Sequence, residues 1–124
     1  MRTRRLVTVE EGGPLATARG LLGRIWQADS LDGMLVAAWD EAGRDLRPVL
    51  LEDPRLLDRA DPFSPIIRFN AARQAAGLLR ARPRARHGFV LRPCELRSLL
   101  ELARREALAL QGSLLISPDC LATF

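Results

Sequence analysis

The sequence predicts an α/β protein: a single small three-layer domain with a mixed, mostly parallel sheet flanked by helices. Three observations predict it. Residues Gly33 to Trp39 read as an apolar run without alternation, the pattern of a strand covered on both faces. Residues 88–117 read strand, helix, strand, which is a βαβ unit with parallel strands. The length of 124 residues suits one domain, assigned to residues 1–124.

The elements follow in chain order. Leu6 to Val9 reads as a short strand or a frayed arm, and residues 1–12 as a flexible arm broken off by Gly12-Gly13-Pro14. Apolar residues then recur at Leu15, Ala18, Leu22 and Ile25, one face of a helix ending near Asp29. Gly20 and Gly23 either weaken that helix or admit a second backbone close to it. After the strand Gly33 to Trp39, a turn at Asp40 to Asp45 leads into a second extended segment, Leu46 to Leu51. Pro48 cannot donate to a ladder and so assigns that segment to an edge. Asp53-Pro54 starts a short helix, with Asp53 as cap and Pro54 as first residue. Asp61-Pro62-Phe63-Ser64-Pro65 is a rigid loop. Ile66 to Ala81 is predicted helical, its small alanines allowing close approach to a sheet, and Pro83 ends it. Gly88 to Leu91 is a short buried strand. Pro93 opens a helix with Leu96, Leu99, Leu100, Ala103 and Ala107 on one face, and Arg97–Glu101 and Glu101–Arg105 as ion pairs on the wet side. Gly112 stops it, and Ser113 to Ser117 is the last strand.

Composition narrows the function classes. No apolar run approaches the roughly 18 residues of a membrane helix. The N-terminus carries Arg2, Arg4 and Arg5 but no apolar stretch or cleavage site, so no signal peptide is expected and a cytoplasmic protein is predicted. The net charge is +4 and every basic residue is Arg. Arg80, Arg82, Arg84 and Arg86 cluster; the run reads first as a solvated helix–strand connection and second as a contact for phosphate, an acidic partner or nucleic acid. With no Tyr and only 5% aromatic residues, a stacking platform for single-stranded nucleic acid is not expected. The two cysteines, Cys94 and Cys120, make no disulfide scaffold and cannot by themselves complete a zinc or iron–sulfur site. Asp58, Asp61 and Asp119 lack metal-ligand spacing.

If the last two strands are parallel, Cys94 and Cys120 each follow a strand to the same rim, the edge where open α/β sheets bind ligands. Within Arg92-Pro93-Cys94-Glu95, Pro93 suits the first helical position. The N–H groups of Cys94, Glu95 and Leu96 are then expected to point into a crevice and favour an anion, with Arg92 adding a permanent charge. The plainer reading of the same spacing is a helix start in which Cys94 packs as a small hydrophobe and Glu95 matches the dipole. His87, at the start of its strand, is expected on the opposite rim, which argues against a Cys–His pair.

Several segments also carry a resemblance. They are Leu21-Leu22 with Leu31-Asp32-Gly33-Met34-Leu35-Val36, Leu56-Leu57-Asp58-Arg59-Ala60-Asp61-Pro62-Phe63-Ser64-Pro65, Asn70-Ala71-Ala72-Arg73, Val90-Leu91-Arg92-Pro93-Cys94-Glu95-Leu96-Arg97 with Glu101-Leu102, and Leu115-Ile116-Ser117-Pro118-Asp119-Cys120-Leu121. In this order they resemble the N-terminal domain of the coenzyme F420 hydrogenase/dehydrogenase beta subunit family, which includes formate dehydrogenase beta subunits. The resemblance implies FAD, with Arg92, Pro93, Cys94 and Glu95 in a flavin-side turn and Asn70 and Arg73 near it. It implies a [4Fe-4S] cluster with Cys120 as a ligand or beside one. Family members continue past this point with further cysteines and a second domain, whereas this sequence stops at Phe124 with no Cys-x-x-Cys. A cluster would therefore need ligands from another chain. The expected function is a redox-enzyme subunit or domain that contributes part of a flavin and iron–sulfur electron-transfer site. It would need a redox partner subunit of hydrogenase, formate dehydrogenase or heterodisulfide reductase type, and self-association stays open. The alternative is a non-catalytic interaction module that keeps the fold without the cofactor.

Overall fold

The computed structural model describes residues 13–62 and 70–117. Its elements run α1 (Gly13–Ala28), β1 (Gly33–Trp39), β2 (Leu46–Leu51), a 3-10 turn (Pro54–Arg59), α2 (Ala72–Ala81), β3 (His87–Val90), α3 (Pro93–Arg105) and β4 (Leu114–Ile116). The strands form one four-stranded sheet in the order β2-β1-β3-β4. β1 and β2 are antiparallel, while β1–β3 and β3–β4 are parallel. The sheet is mixed and mostly parallel, with β2 at an edge as Pro48 requires.

Alternation along the central strands builds the three layers. Met34, Val36 and Val90 point to one face, where they pack with Leu22 and Trp26 of α1 and Leu57 of the 3-10 turn. Leu35 and Phe89 point to the other, where they meet Ala72, Ala75, Ala76 and Leu79 of α2 and Leu99 of α3. β1 is thus covered on both sides, which is why its sequence is an unbroken apolar run. The alanines of α2 are buried, so their small size sets a close helix–sheet approach. Gly33 is needed where β1 leaves the turn: an added Cβ would lie 3.0 Å from Leu50 Cδ1 and 3.1 Å from the Leu51 carbonyl oxygen.

Helix ends are set by local chemistry. Asp53 Oδ1 accepts from Arg55 N at 2.9 Å, with Pro54 next, as the spacing predicted. α1 and α3 both close with a left-handed residue that is not glycine, Ser30 at φ 50° and Ala107 at φ 53°. Beyond each, an N–H reaches back into the helix: Leu31 N donates to Trp26 O at 3.1 Å, and Leu108 N to Ala103 O at 2.9 Å.

Four readings need correction. α2 begins at Ala72, so Asn70 and Ala71 precede the helix; Asn70 Oδ1 accepts from Ala72 N at 2.8 Å in an Asx turn that leads into it. Residues 63–69, which hold the rest of the predicted loop and helix start, lie outside the described residues. The buried face of α3 is Glu95, Leu99 and Ala103, whereas Leu100 is exposed and Ala107 lies beyond the helix end, because the buried carboxylate rotates the stripe. Glu101 pairs with Arg104 and Arg105 rather than Arg97. No backbone closes on α1 at its glycines: nothing lies within 4 Å of a Cβ on Gly20, and Gly23 would meet only a Leu57 methyl.

No helix among the described residues is long and apolar enough to cross a membrane.

Candidate functional site

Because β1, β3 and β4 run parallel, their carboxyl ends share one rim. Leu91 N donates to Ile116 O at 2.9 Å, tying the ends of β3 and β4 together. The chain turns from β3 into α3 through Arg92-Pro93-Cys94-Glu95. Arg92 caps the helix in extended conformation and Pro93 is its first residue. Cys94 is exposed at this rim as a free thiol. His87 sits at the other end of β3, as expected from its position in the strand. Cys120, with Pro118 and Asp119, lies outside the described residues, so the common edge is shown for the strands and not for the second thiol.

Glu95 organises the turn. Its side chain is 3% exposed. Oε1 accepts from Arg92 N and Arg92 Nε, each at 3.1 Å, and Oε2 accepts from Ala71 N at 2.6 Å. One carboxylate therefore caps its own helix from the third position and holds the approach to α2 against the start of α3. The same bond sets Asn70, which precedes Ala71, near the Arg92–Glu95 turn, while Arg73 lines the neighbouring groove with Asn70 and Arg97.

The anion cradle expected here is smaller than the sequence suggested. Leu96 N donates to Arg92 O at 2.8 Å, the first bond of the helix itself, so Cys94 and Glu95 supply the remaining N–H groups. Glu95 is turned inward, and Arg92 spends its Nε on it. The crevice behind the turn, between Pro62, Ala71, Leu91, Arg92 and Glu95, has about 10 Å³ of free volume, space for a single water. Pro93 and Cys94 form an exposed platform instead of a pocket wall.

The open concavity lies beside it, on the outer side of the α2–α3 layer. It is a groove of about 490 Å³ whose walls include Asn70, Arg73, Arg97, Ser98 and Arg105. The groove continues along the helices past Arg73, Arg80 and Glu106. Asn70 and Arg73 enter from the resemblance alone, for a flavin-side turn, and the sequence singles out neither Arg97 nor Ser98 as a site residue. Their signal was the helical spacing that sets both on the wet side of α3, which has no meaning until α2 is placed alongside.

Elsewhere the charges are structural. Arg80 pairs with Glu106 at 2.6 Å, Arg82 with Glu52 at 3.7 Å, and Arg86 with Asp29 at 3.1 Å. Arg86 N also donates to Asp32 Oδ2 at 2.7 Å, and Asp32 N to Arg86 O at 2.8 Å. The arginine run is a solvated connection studded with ion pairs. No group of three or more His, Cys, Asp or Glu able to hold a metal occurs among the described residues. Cys94 is the one cysteine there, so the described residues do not fit an iron–sulfur cluster on their own. No family model, no curated protein and no solved structure matches the chain.

Proposed function

We propose that this chain is a cytoplasmic redox-enzyme subunit or domain that contributes one side of a flavin site and depends on a redox partner for the other. One observation carries the reading. The Glu95–Ala71 bond holds the approach to α2, the stretch that carries Asn70 before Ala71 and Arg73 two residues after it, against the Arg92-Pro93-Cys94-Glu95 turn at the carboxyl rim of the parallel strands. These are the residues that the family resemblance assigns to the flavin.

In this reading the N–H groups of Cys94 and Glu95 and the positive end of α3 face the flavin ring, and the exposed Pro93–Cys94 surface supports it. FAD, when bound, supplies the electron-transfer chemistry. The chain's residues position it and bias its charge. A platform without walls is what half a site requires, with the partner subunit of hydrogenase, formate dehydrogenase or heterodisulfide reductase type closing it. A [4Fe-4S] cluster would need thiolates beyond the two cysteines of this sequence to join Cys120.

The closed crevice favours a second reading, a cofactor-free interaction module. Absorbance separates the two. Protein purified without air, or reconstituted with FAD, is expected to show a bound flavin band. Arg92→Ala is expected to release flavin about tenfold more readily, the loss of one charge-assisted contact, and Cys94→Ala, which keeps the backbone N–H and loses only the thiol surface, to weaken retention less. A protein that gains no flavin on reconstitution, alone or with its partner, supports the interaction module and sinks the first reading.

A further inference from the structure

Arginine after arginine in this protein is matched by a carboxylate: Arg47 with Asp45, Arg55 with Asp53, Arg80 with Glu106, Arg82 with Glu52, Arg86 with Asp29, and Arg104 and Arg105 with Glu101. Arg73 and Arg97, like Arg19, Arg44 and Arg84, fall outside that pattern, and of these five only Arg73 and Arg97 line the α2–α3 groove. Neither has a carboxylate partner among the described residues, although both line the groove between α2 and α3. The two carboxylates of that groove, Glu101 and Glu106, are held by other arginines. Along its length, the guanidinium groups of Arg73, Arg80, Arg97 and Arg105 outnumber those carboxylates by two.

A second observation is independent of the first. Arg73 stands in the first turn of α2, which carries no acidic residue. A cation there opposes the positive end of the helix dipole. The placement brings α2 no dipole stabilisation, and a residue that breaks a local rule without that return points to a ligand.

We propose that the α2–α3 groove binds a ligand bearing a diphosphate, held between Arg73 and Arg97. A guanidinium presents a planar fork that matches two phosphate oxygens. Two guanidinium groups on separate helices suit an anion with two charged centres. The volume of about 490 Å³ exceeds a diphosphate alone, leaving Ala72 and Leu102 as an apolar floor for whatever group the diphosphate carries. The proposal shares Arg73 with the flavin reading but does not depend on a flavin, since the groove lies on the outer helix layer and Cys94 does not line it.

Calorimetric titration of inorganic pyrophosphate into the full chain at low ionic strength tests it. Saturable binding of one equivalent is expected, weakening as salt rises. Arg73→Gln and Arg97→Gln should each weaken it about tenfold, and the pair should abolish it. Arg73, Arg84 and Arg97 are all exposed, and circular dichroism checks that each variant is folded. Arg84→Gln removes the same charge outside the groove and should leave affinity unchanged. Absence of saturable binding overturns the proposal. So does an equal loss from Arg84→Gln, which would reduce the effect to net charge, or malonate binding as tightly as pyrophosphate, which would remove the phosphate assignment. Cys94→Ala is expected to bind pyrophosphate normally, so failure of the flavin reading and failure of this one are told apart.

Discussion

Glu95 is a carboxylate at 3% exposure whose two oxygens take three N–H donors, two from Arg92 and one from Ala71. Removing it strands buried donors on two segments at once. Glu95→Ala is therefore expected to destabilise the protein by about 3 kcal/mol and Glu95→Gln by about 1–2 kcal/mol, read from urea unfolding midpoints. An unchanged midpoint for Glu95→Ala would show that the two segments are held by apolar packing instead. His87 makes a different test. It is buried at the start of β3, and burial holds its pKa below the ordinary imidazole value, with Arg82 adding to the effect and Asp32 and Glu52 opposing it. The folded state then resists a proton that the unfolded chain accepts. Stability from this residue is complete above about pH 7 and declines as pH falls through about 6.5, the unfolded value. His87→Gln is expected to flatten the loss of stability between about pH 7 and pH 5, with the carboxylates titrating below that window.

Helices here are bounded by side chains and turns that the sequence displays. Pro54 after Asp53, and Pro93 after Arg92 with Glu95 three residues beyond the cap, are both readable as starts. The ends are harder to read, because Ser30 and Ala107 occupy left-handed positions that sequence rules reserve for glycine. An L-residue in that region costs about 1–2 kcal/mol, partly offset by the smaller entropy it loses on folding. Ala107→Gly is thus expected to raise stability by about 0.5–1 kcal/mol, measured as a rise in unfolding midpoint without loss of helix signal. The same element explains why the stripe on α3 was misassigned. Periodicity counts apolar residues, and the inward position is held by Glu95, a charge whose burial depends on donors from another segment.

Across the whole molecule, the order β2-β1-β3-β4 gives β1 and β3 partners on both sides and, among the described residues, leaves β2 and β4 each with one free edge. Met34, Leu35, Val36 and Phe89 on the central strands are fully buried, whereas β4 is only half-buried throughout. Native-state hydrogen exchange should therefore find the slowest amides at Leu35, Val36 and Phe89 and markedly faster ones at Leu114–Ile116. Uniform protection of all four strands would mean that something further covers the β4 edge.

The sequence alone determined the class of the fold, the strand limits of β1 and β2, the parallel βαβ unit and the position of the Arg92–Glu95 turn. These follow from local periodicity, proline and caps, which act over a few residues. Only the tertiary structure decided that Glu95 faces inward to Ala71, that the crevice behind the turn is closed, and that Arg73 and Arg97 share a groove without carboxylate partners among the described residues. Each of those depends on which residues the packing of α2 against α3 brings together, and no pattern along one segment encodes its distance to another.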